Sequence, residues 1–196
     1  MKLLATLSFA NGVTFAYIKA TEGITFESPS FSAQYTGATE AGLIRGAYHF
    51  AHPDSSSGAT QAKFFLAHGG GWSSDGITLP GALDIEHPSG AECYGLSASA
   101  MVSWISDFSS TYHAEPPDIQ HSVALVIYTT TDWWSTCTEN SAAFGSNNPL
   151  WIAHYSSSIG ALPAGWSFTT FWQYADSGPN PGDADLFNGD AVGLTR

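Results

Sequence analysis

Short apolar runs recur along the chain and are separated by longer amphipathic or polar stretches. Residues 15–20 (FAYIKA), 43–50 (LIRGAYHF), 81–86 (GALDIE), 123–128 (VALVIY), 150–155 (LWIAHY) and 169–174 (TTFWQY) are rich in β-branched and aromatic side chains. Several stop at turn formers such as Thr21-Glu22-Gly23, His52-Pro53 and Pro88, so each run predicts a strand. The intervening stretches read as helices over 31–40 and 58–68, the latter halted by Gly69, Gly70 and Gly71. The clearest helix opens at Ser97 or Ser99, both good caps. It carries Met101, Trp104, Ile105, Phe108 and Tyr112 on one face. A short helical turn is expected around 132–134. Near-continuously apolar strands that alternate with helices or long crossovers specify parallel pairing with cover on both faces. The expected fold is α/β, a modified (β/α) barrel with fewer helices than strands. An open doubly wound sheet is the rival, but no Gly-rich phosphate loop follows any strand.

Length and charge narrow the possibilities. The 196 residues suit one domain over 11–196, with a separate segment at 1–10. Seventeen acidic against five basic residues give a net charge of -12. The basic side chains (Lys2, Lys19, Arg45, Lys63, Arg196) are too scattered to track phosphates, so neither nucleic acid nor an anionic membrane is an expected partner. Only 11% of residues are charged, while Ser, Thr, Gly and aromatics abound. That composition suits a secreted, carbohydrate-facing protein, and a monomer is the expected state. The opening MKLLATLSFA resembles the start of a secretory signal, with Lys2, a short apolar stretch, then Ser8 and Ala10, yet it is shorter than a complete one. These residues read either as that start or as a replacement amino-terminal strand. Cys93 and Cys137 form either a single disulfide or two buried thiols.

Candidate chemistry concentrates in ALDIE. Asp84 and Glu86 are two apart, so an extended strand projects both carboxylates to one face, with backbone positions roughly 6–7 Å apart. They end a strand just before Pro88, where barrel enzymes carry catalytic groups. Crowding raises the pKa of one of them, and an acid beside an ionised partner is what glycosidic cleavage requires. The plainer reading has one carboxylate capping a loop amide and the other solvated. Tyr48, His49, Tyr128, His154, Tyr155, Trp172, Gln173 and Tyr174 fall at other strand ends, and aromatics with polar tips match pyranose faces edged by hydroxyls. Asp183 and Asp185 in GDADLF supply a third carboxylate or merely form an Asp-Gly turn. His49 and His52 with Asp84 and Glu86 could instead ligate a metal in a deacetylase. Residues three apart on a strand face opposite ways, so that reading needs the strand to end between them. With no nucleophile elbow, P-loop or CxxC pair, no cofactor and no metal are expected.

Taken together, several stretches resemble family 25 glycoside hydrolases, the N,O-diacetylmuramidase-type lysozymes, and particularly their secreted fungal members. They are GVTFAYIKATEG (12–23), PSFSAQYTGATEAGLIRGAYHFAHP (29–53), GGGWSSDGITLPGALDIE (69–86), CYGLSASAMVSWI (93–105), IYTTTDWW (127–134), LWIAHY (150–155), and FWQYADSG with GDADLFNGD (171–190). The resemblance implies cleavage of the β-1,4 bond between N-acetylmuramic acid and N-acetylglucosamine in bacterial peptidoglycan. It implies Glu86 as general acid and Asp84 as the carboxylate that orients the 2-acetamido group or stabilises the cation. Asp185 corresponds to the late active-site aspartate, with Asp183 as second choice. Tyr48, Tyr128, Trp151, Trp172 and Tyr174 are the implied sugar contacts, and Cys93–Cys137 the implied disulfide. One departure stands out. The family's opening GxDxSxxQ strand has no counterpart here, because no aspartate precedes Asp54. The expected barrel is therefore one without its usual first strand, and a glycan-binding protein with impaired catalysis is the alternative function. AEPPDIQHS (114–122) reads as a surface insertion.

Overall fold

The structure, a computed structural model, describes residues 12–87, 90–114 and 123–194. Its elements are β1 (Phe15–Glu22), β2 (Phe26–Glu27), α1 (Phe31–Glu40), β3 (Ile44–Phe50), α2 (Gly58–Phe65), β4 (Ala82–Asp84), α3 (Ala98–Ala114) and β5 (Val126–Thr129). They continue with α4 (Thr131–Thr138), β6 (Leu150–Ala153), β7 (Phe171–Ala175), β8 (Ala184–Phe187) and α5 (Ala191–Leu194). One curled sheet runs in the order β2-β1-β3-β4-β5-β6-β7-β8. It is parallel from β1 through β7 and closes each edge with an antiparallel hairpin strand. Among the described residues the strands outnumber the helices, as the modified-barrel expectation requires.

Local signals set the helix starts. Ser57 accepts the Thr60 amide at 3.2 Å to open α2, and Thr130 accepts the Trp133 amide at 3.1 Å to open α4. Ser97 accepts the Ala100 amide at 3.3 Å, so of the two caps considered it is Ser97 that starts α3. After α2 the chain makes one wider turn, Leu66–Gly70, and breaks at Gly69 with φ of 108°. A β-carbon there would lie 2.3 Å from the Phe31 ring, so glycine serves both the backbone angle and the packing.

Strand alternation divides the apolar residues between two layers. Leu83, Ile85, Leu125 and Ile127 point outward against Met101, Ile105, Phe108 and Tyr112 of α3, forming the larger core. Ala82, Val126, Tyr128, Trp151 and Phe171 point inward and meet Phe15, Tyr17, Tyr48 and Phe187. Asp84 follows the inward set of β4, and this periodicity delivers it to the barrel interior.

Two strands were not legible in advance. The two-residue β2 is too short to show a pattern, and β8 lies in GDADLF, which also reads as a turn. On the side of β1 away from β3, partner-strand pairing reaches only Thr21 and Glu22 among the described residues. The segment 1–10, whether signal-like or replacement strand, lies outside the described residues, as does 115–122 of the surface insertion. Cys93 and Cys137 are bonded, tying the turn Glu92–Gly95 to α4.

Candidate active site

A cleft of about 1340 Å³ runs along the inner face of the sheet, from Phe15 and Ile44 at the amino ends of β1 and β3 to Asp84 and Glu86 at the carboxyl end of β4. Asp84 and Glu86 both line it. Asp84 closes β4 and is buried, with 7% of its surface exposed, and its Oδ1 takes no hydrogen bond among the described residues. Burial pushes its pKa well above the usual carboxylate value, and the charge of Glu86 pushes the same way, against the pull of Lys19. Glu86, half-buried beyond the strand end, is also raised, first by burial and then by Asp183, while His87 opposes. Two such carboxyls titrate as a unit. The pair therefore keeps a proton at pH values where an exposed acid has lost its own.

The late aspartates separate clearly. Asp185 Oδ1 accepts the Trp151 indole N–H at 2.7 Å, and burial pushes the carboxyl up to about 6. Its charge is felt at Tyr17 in the barrel interior. Asp183 acts instead on Asp84 and Glu86, as well as on Tyr48 and Tyr155. The structure thus brings Asp183 into the field of the acid pair and seats Asp185 against the aromatic floor.

Aromatic and amide groups complete the cleft. Tyr48 sits beside Lys19 in the β1–β3 register, and burial with the nearby Asp84 raises its hydroxyl pKa. Trp151 stacks on Tyr17 at 4.7 Å between ring centroids and forms the floor. Tyr128 and Tyr155 donate to Gln173 Oε1 at 2.7 and 2.9 Å, and Gln173 Nε2 donates to Asp183 Oδ2 at 3.3 Å. Trp172 stands on the opposite face of β7 from Gln173, with its indole N–H on the His154 carbonyl at 2.9 Å, and does not line the cleft. A β-bulge between Gln173 and Ala175 brings Tyr174 to the cleft margin, 5.9 Å from the Trp172 ring.

His49 serves packing. His49 is fully buried, and its two ring nitrogens are engaged by Thr21 at 2.8 Å and Gln61 at 2.9 Å. Burial pushes it down to about 4, so it is neutral at physiological pH. His52 lies 2.8 Å from Glu22. Among the described residues no three His, Cys, Asp or Glu side chains are grouped to hold a metal ion. Sequence reasoning did not single out Tyr17 and Lys19. Their signal was the period-two pattern Phe15, Tyr17, Lys19, which puts all three on the interior face of β1. Lys19 Nζ binds Glu22 at 2.6 Å and lies 4.8 Å from the centre of the Phe50 ring, bringing a cation to an otherwise acidic cleft.

Comparison with known proteins is consistent with this geometry. The sequence matches the glycosyl hydrolases family 25 over residues 5–183. It is 52% identical over 190 residues to an N,O-diacetylmuramidase of Arthroderma benhamiae, covering 96% of this chain and 78% of that protein. An N,O-diacetylmuramidase of Chalaropsis is 48% identical, with 96% and 90% covered. The muramidase structure from Acremonium alcalophilum superposes with a TM-score of 0.93 at 62% identity, covering 98% of this chain and 90% of that one. A family GH25 lysozyme from Aspergillus fumigatus gives 0.93 at 49% identity, with 100% and 94% covered. A matching family profile across most of the chain, close relatives and a shared fold lead to one assignment: the chain belongs to family 25 of the glycosyl hydrolases.

Proposed function

We propose that the protein is a muramidase that hydrolyses the β-1,4 bond between N-acetylmuramic acid and N-acetylglucosamine in bacterial peptidoglycan. The observation that carries this reading is the convergence of Asp84 and Glu86 in one cleft, both with raised pKa values. Position assigns the roles. Glu86 lies beyond the strand end, where a glycosidic oxygen can reach it, and gives that oxygen its proton. Asp84 is deeper, with one oxygen closed off from the cleft, and its carboxyl, whose pKa is itself raised, orients the 2-acetamido group or, once ionised, faces the developing oxocarbenium ion. The carboxylate partnering this pair is Asp183, favoured over Asp185 by its electrostatic reach to both acids. Tyr48, Tyr128, Trp151 and Tyr174 offer the sugar contacts, and Trp172 contributes through Tyr174 from outside the cleft. The Cys93–Cys137 disulfide suits an oxidising compartment, so the site of action is extracellular.

Chemical analysis of the products tests the reading. Purified bacterial walls are incubated with the protein, reduced with borohydride and hydrolysed. Muramicitol from new reducing ends is the expected product. Glucosaminitol would move the cleavage to the other bond, and released acetate without new ends would point to a deacetylase. Adsorption to walls with no release would replace hydrolysis by binding alone.

A further inference from the structure

Gln173 is 3% exposed and is fixed in the backbone from both sides of β7. It pairs with Asp185 of β8, and its carbonyl accepts the His154 amide at 3.0 Å. Its side chain spans three other segments: Tyr128 on β5, Tyr155 after β6, and Asp183 before β8. A buried amide whose groups all meet partners has one workable orientation. An ionised carboxylate can only accept, so the amide nitrogen must face Asp183. The amide oxygen then faces the two tyrosines, and its two lone pairs are filled by two hydroxyl protons. Each phenol has a single proton to give. The two phenols also lie within hydrogen-bonding reach of each other, with Tyr155 as the acceptor, so lone pairs are what both oxygens offer outward.

We propose that Gln173 is a positioning residue that sets the proton polarity of the cleft, making Tyr128 and Tyr155 acceptors for the hydroxyl and amide N–H groups of the bound glycan while it holds Asp183 in place. This rests on the muramidase reading above. A 2-acetamido sugar presents several O–H donors and one N–H donor, and a rim of fixed acceptors discriminates for them. The same linkage ties sugar recognition to the acid pair, because the residue that orders the tyrosines also holds the carboxylate whose charge raises Glu86.

Two variants and two readouts test it. Gln173→Leu removes the acceptor, and the Tyr155 phenol should then ionise at lower pH, by about one unit, when followed by ultraviolet difference absorbance. Glu86, Asp176, Asp183 and Tyr128 also face that phenol, and the substitution releases the last two from Gln173. KM for soluble peptidoglycan fragments should rise by about fivefold, the loss of one net hydrogen bond. Gln173→Glu keeps the size and the acceptor but adds negative charge near Glu86, which Asp84, Asp183, Lys19 and His87 already influence. The alkaline limb of the kcat/KM profile should move up by about half a pH unit or more. Gln173→Glu serves on its own if the leucine variant fails to fold. An unshifted Tyr155 titration in Gln173→Leu, or an unmoved alkaline limb in Gln173→Glu, overturns the proposal. If the unaltered protein releases no reducing ends, the muramidase reading fails instead, and the phenol titration alone decides this one.

Discussion

Asp185→Asn should make the protein more stable at neutral pH and leave it unchanged in acid. Asp185 titrates near 6 in the folded chain against 3.8 when free, because burial outweighs its bond from Trp151. A carboxyl whose pKa is raised by folding binds its proton more tightly in the native state, so its contribution is fully present below the free value. It is lost as the pH climbs through the folded one. The window is therefore roughly pH 4 to 6, and the difference between 6 and 3.8 corresponds to about 3 kcal/mol at about 1.36 kcal/mol per pH unit. Asparagine has no proton to lose, and its Oδ1 can still accept the Trp151 indole N–H. Urea unfolding at pH 3.5 and pH 7 provides the assay. The variant should match the parent at the lower pH and exceed it by about 2–3 kcal/mol at the higher, a gain of roughly 4–12 °C in Tm for a chain of this size. Equal stability of the two proteins at pH 7, or the same gain at both pH values, would refute the reasoning. The variant also bears on catalysis, since retained wall hydrolysis supports Asp183 as the third carboxylate and its loss returns the role to Asp185.

Reduction of Cys93–Cys137, which are 44 residues apart, should lower unfolding free energy by up to about 4 kcal/mol on the chain-entropy estimate, read as a shift in the urea midpoint under reducing conditions. An unmoved midpoint would show that the turn Glu92–Gly95 is held by its packing alone. Gly58→Ala places a β-carbon 2.3 Å from the Trp104 carbonyl oxygen and 2.5 Å from the Phe108 amide nitrogen, so α2 and α3 must separate. A loss of about 3 kcal/mol or more is expected in thermal unfolding, and a change under 0.5 kcal/mol would contradict this close helix contact.

Much of the sheet was readable because β5 and β6 are buried on both faces and apolar or aromatic side chains predominate in the other long strands. Residues 150–155 and 169–174, for instance, became β6 and β7 with small changes at the ends. Helix α3 was equally plain, since Met101, Trp104, Ile105, Phe108 and Tyr112 lie on one face and all are buried. The limits came where local pattern gives way to tertiary pairing. β8 exists because Asp185 and Phe187 pair with Gln173 and Phe171, a relation that no window within GDADLF contains. In the site, the two-residue spacing of Asp84 and Glu86 carried the acid pair, because strand alternation is local. Nothing local separates Asp183 from Asp185, since the electrostatic influence that reaches Asp84 and Glu86 crosses the cleft from a distant part of the chain. The part played by Gln173 was hidden for the same reason, since its partners come from three separate segments of the chain.

The central claim is that Glu86, held above the ordinary carboxylate range beside Asp84, delivers the proton that breaks the glycosidic bond. Replacement by glutamine keeps the shape of the side chain and removes the transferable proton. The rate of reducing-end release from purified peptidoglycan by Glu86→Gln, alongside its thermal midpoint, measures this directly. A fall of about a hundredfold or more with the fold intact is the expected result. Turnover within about threefold of the parent would contradict the account.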